Sequence, residues 1–141
     1  MPRADFYLIQ SPRFREEPMR LVCELARKAH DAGLPTLILA RSPEQAEQLD
    51  DMLWDMGEDA YIPHQIAGLD EDEEEADVLI AAPESDPALR PLVINLRDAP
   101  VGEGFDRVLE VVPADDSARG PLRERWKQYQ ARGLALNKHD M

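Results

Sequence analysis

Short apolar runs alternate along this chain with segments whose apolar residues recur at helical spacing. A continuous apolar run is typical of a strand that is covered on both faces, as in a parallel sheet. Pro63 and Pro113 directly follow two of the runs and support their assignment as strands that end there. The predicted strands lie at residues 6–9, 36–40, 60–62, 78–82, 92–96 and 107–112.

Three helices are predicted in the remaining segments. The first covers about residues 17–31 and ends before Gly33, which suits a C-terminal cap. The second starts with Ser42 as its N-cap and with Gln45 closing a capping box. The last covers about residues 116–132. The stripe of the second helix that is expected to face the core consists of Ala46, Leu49, Leu53 and Met56.

The alternation of strands and helices predicts βαβ units in a right-handed α/β layer fold. A chain of 141 residues fits one domain, residues 1–141. Such folds often bind nucleotides, but the first strand runs into Gln10-Ser11-Pro12-Arg13 and not into a glycine-rich phosphate loop. Gly102 and Gly104 precede a strand, so we interpret them as a turn. A nucleotide-binding α/β enzyme remains an alternative that this pattern does not favour.

Composition narrows the function further. The apolar fraction of 43% is enough for a core, and the formal net charge is −13. Because cations that neutralise phosphates dominate DNA affinity, a chain this acidic is a poor candidate for binding DNA with its whole surface. The single cysteine, Cys23, cannot form a disulfide within the chain and is expected to be a buried apolar residue of the first helix. Without an N-terminal signal run or a membrane-length apolar stretch, we expect a soluble cytoplasmic protein.

No catalytic or metal-binding motif stands out. His30, His64 and His139 are scattered and share no metal-ligand spacing with Cys23. The acidic run at residues 70–77 lacks the alternation of a calcium loop and is interpreted as a solvated loop. We therefore expect no cofactor and no metal, and the absence of a motif argues modestly against an enzyme.

The C-terminal segment, residues 117–138, is strongly cationic. It carries six cations and one acid, so its charge is +5 while the rest of the chain carries −18. Arg119, Arg123 and Lys127 are spaced four residues apart and share one helix face, with Trp126 beside them. The cations of the segment are Arg119, Arg123, Arg125, Lys127, Arg132 and Lys138.

Three interpretations of this segment remain open. Arginines beside a large aromatic residue can bind a short acidic peptide that carries an apolar side chain. Alternatively, Leu122, Trp126 and Tyr129 form an ordinary buried stripe and the cations extend into solvent. Single-stranded nucleic acid is the third candidate ligand, since cations with a stacking aromatic bind it too. The acidic remainder of the chain disfavours this last option.

A second candidate surface lies around Trp54. This residue points away from the buried stripe of the second helix, and Tyr61 follows it closely. Two aromatics outside the stripe are typical of a protein-interface anchor. A tryptophan that packs under a neighbouring loop is the alternative.

Short sequence blocks over nearly the whole chain share an order and spacing with a known family. The most specific is Arg123-Glu124-Arg125-Trp126-Lys127-Gln128-Tyr129. The others are Phe6-Tyr7-Leu8, Val22-Cys23-Glu24-Leu25-Ala26, Leu49 with Leu53-Trp54, Pro63-His64, Ala67-Gly68, Ile94-Asn95-Leu96-Arg97, Val111-Val112-Pro113, Gly133 and Leu136-Asn137. In these blocks the chain resembles the chi subunits of bacterial DNA polymerase III.

The resemblance implies a single Rossmann-like three-layer domain with a mostly parallel central sheet and no nucleotide-binding loop. It also implies a non-catalytic adaptor in DNA replication. Such subunits pair with the psi subunit of the clamp-loader complex, and they bind the acidic, phenylalanine-ended C-terminal tail of single-stranded DNA-binding protein. The resemblance predicts no strong direct binding of nucleic acid. From the resemblance, tyrosine is expected at the position of Trp126.

The resemblance also implies where the two partners bind. The psi-binding surface maps to the end of the second helix and the strand after it, hence to Trp54 and Tyr61. The tail of single-stranded DNA-binding protein docks on the last helix and the strand before it. The matching positions are Val112, Arg119, Arg123, Trp126 and Lys127.

Overall fold

The computed structural model describes residues 2–55, 62–67, 76–85 and 87–141. Within these ranges, seven strands form one sheet in which every neighbouring pair is parallel. The strands are β1 (Arg3–Leu8), β2 (Thr36–Leu39), β3 (His64–Ile66), β4 (Val78–Ala81), β5 (Leu92–Asn95), β6 (Arg107–Val112) and β7 (Ala135–Asp140). Their order across the sheet is β3-β4-β2-β5-β6-β1-β7. The helices are α1 (Pro12–Glu16), α2 (Pro18–Asp31), α3 (Pro43–Trp54) and α4 (Arg119–Ala131), with a 3₁₀ turn over Asp116–Ala118 before α4.

Local sequence explains where α2 and α3 begin and end. Pro18 occupies the first turn of α2, where its missing N–H costs no hydrogen bond. After α2 the chain turns at Gly33, whose φ of 72° is in the left-handed region that glycine adopts without strain. At the start of α3 the Ser42 hydroxyl accepts a hydrogen bond from the Gln45 N–H at 3.1 Å. The Gln45 side chain accepts one from the Arg41 N–H at 2.7 Å. The predicted N-cap Ser42 is thus confirmed, whereas the Gln45 side chain binds the residue before the N-cap and not the N-cap itself.

The helices lie on both faces of the sheet. Alternate strand residues belong to different apolar clusters: Ile38 packs with side chains of α2 and α3, whereas Leu37 packs in the cluster that contains Tyr129 of α4. We call these the α2–α3 face and the α4 face. Strands β2, β4 and β5 are buried at every residue, as their continuous apolar runs predict. The predicted Rossmann-like three-layer architecture with a parallel central sheet is confirmed.

The edge strand β7 was not predicted. Its sequence, from Ala135 to Asp140, is mostly polar because it lies at the edge of the sheet and is largely exposed. Charged residues are common on edge strands, where they discourage pairing with other chains. A strand of this kind lacks the apolar run by which the other strands were recognised.

Of the strand predicted at residues 60–62, only Ile62 lies within the described ranges, and it is not part of a strand. The structure has β3 at His64–Ile66, and Ile62 precedes it as a buried residue outside any strand. Residues 60 and 61 lie outside the described ranges, as do Met56 of the predicted α3 stripe and residues 70–75 of the acidic run. The short helix α1 lies in a segment between β1 and α2 for which no helix was predicted. Within the described ranges, no helix has the length and apolar character needed to cross a bilayer.

Candidate functional site

A groove with an apolar floor lies between α4 and the carboxyl-terminal halves of β1 and β7. Its volume is about 370 Å³. We call it the α4 groove and define it by the residues that line it. These are Phe6, Leu8, Leu122, Arg123, Trp126, Lys127 and Lys138.

Strand alternation and helix periodicity together build the floor of the α4 groove. Phe6 and Leu8 are two residues apart in β1, so both side chains point to the α4 face. Leu122 and Trp126 are four residues apart in α4 and meet them from the opposite side. The rings of Phe6 and Trp126 are tilted by 49° with their centroids 5.0 Å apart. Trp126 stays partly exposed and forms one wall of the groove.

The cations at the rim come from two elements. Arg123 and Lys127 are exposed on α4, and neither forms an ion pair with any described residue. Lys138 comes from β7, where its backbone is the register partner of Phe6 in β1. Its ammonium lies 3.9 Å from the Asp140 carboxylate, which is a loose and exposed pair. The groove therefore combines an apolar floor with positive charge on two sides.

Two predicted site residues lie near the α4 groove but do not line it. Arg119 is the first residue of α4, and its guanidinium is 3.6 Å from the Asp116 carboxylate. Val112 ends β6 and is 3% exposed, in the same apolar cluster as Phe6 and Trp126. The structure thus brings Arg123, Trp126 and Lys127 together, places Arg119 one helical turn away, and places Val112 in the core of the α4 face.

The interpretation of Leu122, Trp126 and Tyr129 as a buried stripe holds in part. Tyr129 is fully buried, while Leu122 and Trp126 are only partly covered. Leu122 and Trp126 of this stripe also line the α4 groove, whereas Tyr129 lies in the core. Arg125, which was counted among the surface cations, is 3% exposed. Its Nε lies 2.9 Å from Oε1 of Glu110, so it adds no free charge to the surface.

Glu110 is the centre of a buried polar cluster between β6 and α4. The Tyr129 hydroxyl donates to it at 2.6 Å, and the Asn95 amide donates to both of its oxygens at 2.9 and 3.1 Å. Burial raises the pKa of Glu110 above its ordinary value, against the opposing effect of the Arg125 charge and the hydrogen bonds. Burial likewise raises the pKa of Tyr129, and the neighbouring Glu110 carboxylate adds to that rise.

The second predicted surface is only partly described. Trp54 ends α3 with 58% of its surface exposed, and its ring meets the His64 ring edge-on at 5.1 Å between centroids. The alternative that Trp54 is buried under a loop is thus not what the described residues show. Tyr61, its predicted companion, lies outside the described residues.

An arginine side chain lies at the carboxyl ends of β2 and β4, on the sheet edge where α/β folds bind nucleotides. In such folds the ligand sits beyond the carboxyl ends of the strands. Here the Arg97 guanidinium donates to the carbonyls of Ala40, Ala81 and Ala82 at 2.9 to 3.1 Å, so it ties the ends of β2 and β4 together. In the part of the chain that the structure describes, no group of ligands that could hold a metal ion is found.

Cys23 confirms its predicted place in the core. It is 3% exposed in α2. Burial raises the pKa of its thiol to about 12, so the thiol stays protonated at neutral pH.

Comparison with known proteins identifies the family. The profile of the family described as DNA polymerase III chi subunit, HolC, matches residues 1–137. The chain belongs to the DNA polymerase III chi subunit family. Membership in the chi family places it among the subunits of DNA polymerase III and so in DNA replication.

Two relatives illustrate how completely the chi family pattern covers the chain. The DNA polymerase III subunit chi of Pseudomonas aeruginosa is 33% identical over 143 residues, which cover 99% of this chain and 96% of that subunit. The subunit chi of Escherichia coli strain K12 is also 33% identical over 143 residues, with 97% of both chains covered.

The fold of this chi-family chain is also found outside the family. A solved DEAD box protein from the hyperthermophile Methanococcus jannaschii superposes with a TM-score of 0.59 at 16% sequence identity. The match covers 98% of this chain and 41% of the other. At this identity the likeness concerns the fold alone.

Sequence reasoning missed several groove residues of this chi-family chain. Phe6 and Leu8 were recognised only as strand residues, and Lys138 only as one cation among six. The parallel pairing of β1 with β7 brings them to α4, and no local pattern announces that pairing. Glu110 did leave a signal: it is the single charged residue within the apolar stretch from Val108 to Val112.

Proposed function

We propose that this chain is a non-catalytic adaptor that binds the acidic C-terminal tail of single-stranded DNA-binding protein in the α4 groove. It also pairs with the psi subunit and so joins the clamp-loader complex in the cytoplasm. The observation that carries the proposal is an apolar groove whose rim holds Arg123 and Lys127 without ion-pair partners among the described residues. Cations that are not already neutralised are available to the carboxylates of a ligand.

The groove suits the two features of such a tail. The floor formed by Phe6 and Leu8, with Trp126 as one wall, offers a seat for a terminal phenylalanine ring. Arg123 and Lys127 on one side offer charge-assisted hydrogen bonds to carboxylates. Arg119 extends this cationic line by one turn of α4, toward acidic residues further along the peptide. Val112 supports the floor from below.

Charge distribution favours a peptide over single-stranded DNA as the ligand. Both ligands would use cations beside a stacking aromatic residue. The burial of Arg125 against Glu110 leaves the surface with fewer free cations than the sequence count indicated. The net charge of −13 would repel a long polyanion, whereas a short tail meets only the groove.

The proposed psi-binding surface is the end of α3. Trp54 is exposed there, and a large exposed aromatic is typical of an interface anchor. Tyr61 belongs to the same proposal through the family resemblance. A pull-down of psi by the Trp54→Ala protein checks this surface. We expect loss of psi with tail binding retained; retention of psi would place its binding surface elsewhere.

A peptide titration tests the tail-binding proposal. A synthetic acidic peptide ending in phenylalanine is titrated into a Trp54→Phe protein, so that Trp126 is the one reporting fluorophore. We expect saturable binding with a micromolar dissociation constant, about −8 kcal/mol. Arg123→Ala should abolish it over the same concentration range.

A matched control separates the groove from general charge. Arg15→Ala removes an exposed cation from α1, whose buried Phe14 packs in the apolar cluster of the α2–α3 face and whose residues do not line the groove. We expect this variant to bind the peptide like its parent. Equal losses in Arg123→Ala and Arg15→Ala would mean that only overall charge matters. A folded parent protein that does not bind the peptide would refute the tail-binding proposal.

A further inference from the structure

The fully buried anchors of α4 on the sheet are polar. Two side chains of α4 are buried, Arg125 and Tyr129, and they lie four residues apart on one face of the helix. Leu122 and Trp126, its apolar contacts with the sheet, are only partly buried. The helix therefore meets the sheet through directional bonds at its centre and through looser apolar contacts at its side.

These directional bonds reach three different segments. Glu110 of β6 accepts a hydrogen bond from the Tyr129 hydroxyl at 2.6 Å. Its Oε1 also lies 2.9 Å from the Arg125 Nε, as an ion pair without hydrogen-bond geometry. Asn95, at the end of β5, donates to the same carboxylate. In the connection from β5 to β6, the Val101 N–H donates to the Tyr129 hydroxyl at 2.9 Å.

A further hydrogen bond extends the network along that connection. The Arg125 Nη1 donates to the Asp98 carbonyl at 3.0 Å. Arg125 and Tyr129 are thus each held by partners on β6 and on the β5–β6 connection. A rotation of α4 about its axis would break bonds in both places at once.

We infer that Glu110, Arg125, Tyr129 and Asn95 form a positioning network that fixes the rotation of α4 over the sheet and so sets the shape of the α4 groove. Successive residues are about 100° apart around a helix, so Trp126 follows Arg125 directly around the axis. Arg123 and Lys127 lie two residues to either side of Arg125. If α4 rotated about its axis, Arg123, Trp126 and Lys127 would all move together and the groove would change shape. This inference rests on the proposed tail binding only for its consequence for affinity.

Apolar packing alone is poorly suited to fix this rotation. Apolar contacts are non-directional and tolerate small shifts, whereas a carboxylate with several donors accepts few arrangements. Replacing a buried ion pair by neutral groups of similar size often leaves stability unchanged or raises it. Stability and groove geometry should therefore respond differently when the charges are removed together.

The decisive variant is the double substitution Glu110→Gln with Arg125→Met in the Trp54→Phe protein. It removes one buried positive and one buried negative charge, so the net charge and the exposed cations stay as they are. Each single substitution leaves a buried charge unpaired and should lower stability more than the double does. We expect the double variant to recover most of that stability but to bind the acidic peptide at least tenfold more weakly than its parent.

Two further proteins guard against a trivial result. Leu49→Ala, in α3 on the α2–α3 face, lowers stability without touching the network and should bind the peptide like its parent. Tyr129→Phe removes one hydroxyl and should fold even if the double variant does not. It should weaken peptide binding about fivefold, which corresponds to one net hydrogen bond.

The fluorescence emission maximum of Trp126, measured without peptide, depends on how α4 packs on the sheet and so tests the position of the helix without a ligand. We expect it to shift in the double variant and in Tyr129→Phe, and to stay unchanged in Leu49→Ala. A stable double variant with parental affinity and parental Trp126 emission would overturn the positioning role. If the parent itself binds no peptide, the proposed function fails, and the emission of Trp126 alone decides the positioning inference.

Discussion

The two faces of the sheet are built on different principles. On the α2–α3 face, helices α2 and α3 together bury ten side chains, all of them apolar or cysteine. On the α4 face the helix buries Arg125 and Tyr129, and both bind Glu110. Apolar burial is strong but non-directional, whereas a buried polar cluster is directional and contributes less net stability. The α2–α3 face is therefore suited to holding the fold together, and the α4 face to holding a surface in one shape.

The largest expected effect belongs to the apolar face. Leu49 of α3 is fully buried in the α2–α3 cluster. Leu49→Ala should lower the free energy of unfolding by about 2–5 kcal/mol, through lost apolar burial and the cavity left behind. Urea denaturation measures it. A loss below about 1 kcal/mol would mean that this face is not the main source of stability.

The second-largest expected effect on the free energy of unfolding concerns Asp5, a buried polar residue on the α2–α3 side of β1. The carboxylate of Asp5 is 3% exposed; it accepts from Arg107 at 2.6 Å and pairs with His139 at 3.0 Å. Burial raises the pKa of Asp5, but the hydrogen bonds from His139 and Arg107 and the charges of Arg107 and Arg3 outweigh it. The net pKa is lowered from its ordinary value of 3.8.

This lowered pKa has a definite sign for stability. The charged form of Asp5 stabilises the fold above pH 3.8, and that contribution is lost as the pH falls below this value. Asp5→Asn should cost about 1–2 kcal/mol at pH 7, since the partners are partly exposed. Unfolding free energies measured from pH 7 to pH 2 should converge for the two proteins. A constant gap down to pH 2 would contradict this account.

A smaller effect concerns the wall of the α4 groove. Trp126→Tyr introduces the residue that the family resemblance predicts at this position and keeps an aromatic ring against Phe6. We expect the peptide affinity to change by less than about tenfold, because swaps that preserve an apolar ring cost under about 1.5 kcal/mol. Calorimetric titration measures it without a fluorescent reporter. A larger loss would show that the indole itself contacts the ligand.

The smallest expected effect is that of Lys138. Its ammonium is exposed and already near Asp140, so Lys138→Ala should weaken peptide binding by about 0.2–1 kcal/mol. Binding should also weaken with added salt, and less steeply in this variant than in its parent. Calorimetric titrations at low and high salt check both statements. An affinity that does not respond to salt would contradict an electrostatic role for the rim.

Much of the fold could be predicted because apolar runs mark buried strands directly. The runs that became β2, β4 and β5 announce their burial on both faces, and Ser42 marks the start of α3. The edge strand β7 has no such run, since half of its surroundings are solvent. Strand β3 begins at His64, so Pro63 separates it from Ile62, the last residue of the apolar segment that suggested a strand.

The candidate site could be predicted where one element supplies it. Helical spacing alone placed Arg123, Trp126 and Lys127 on neighbouring positions of α4. Helical spacing could not show that Arg125 points inward, because the partner that draws it into the core lies on another element. Phe6 and Lys138 were missed because they meet only through long-range strand pairing.

Because β1 pairs with β7, the α4 groove can form only late in the synthesis and folding of each chain. The register that sets Phe6 beside Lys138 joins segments separated by nearly the whole sequence. Such long-range contacts form slowly, and during synthesis β1 leaves the ribosome well before β7. A nascent chain can bury its α2–α3 face while the α4 groove does not yet exist. If the proposed acidic tail binds in this groove, it can bind only a chain in which β7 has been synthesised and paired with β1.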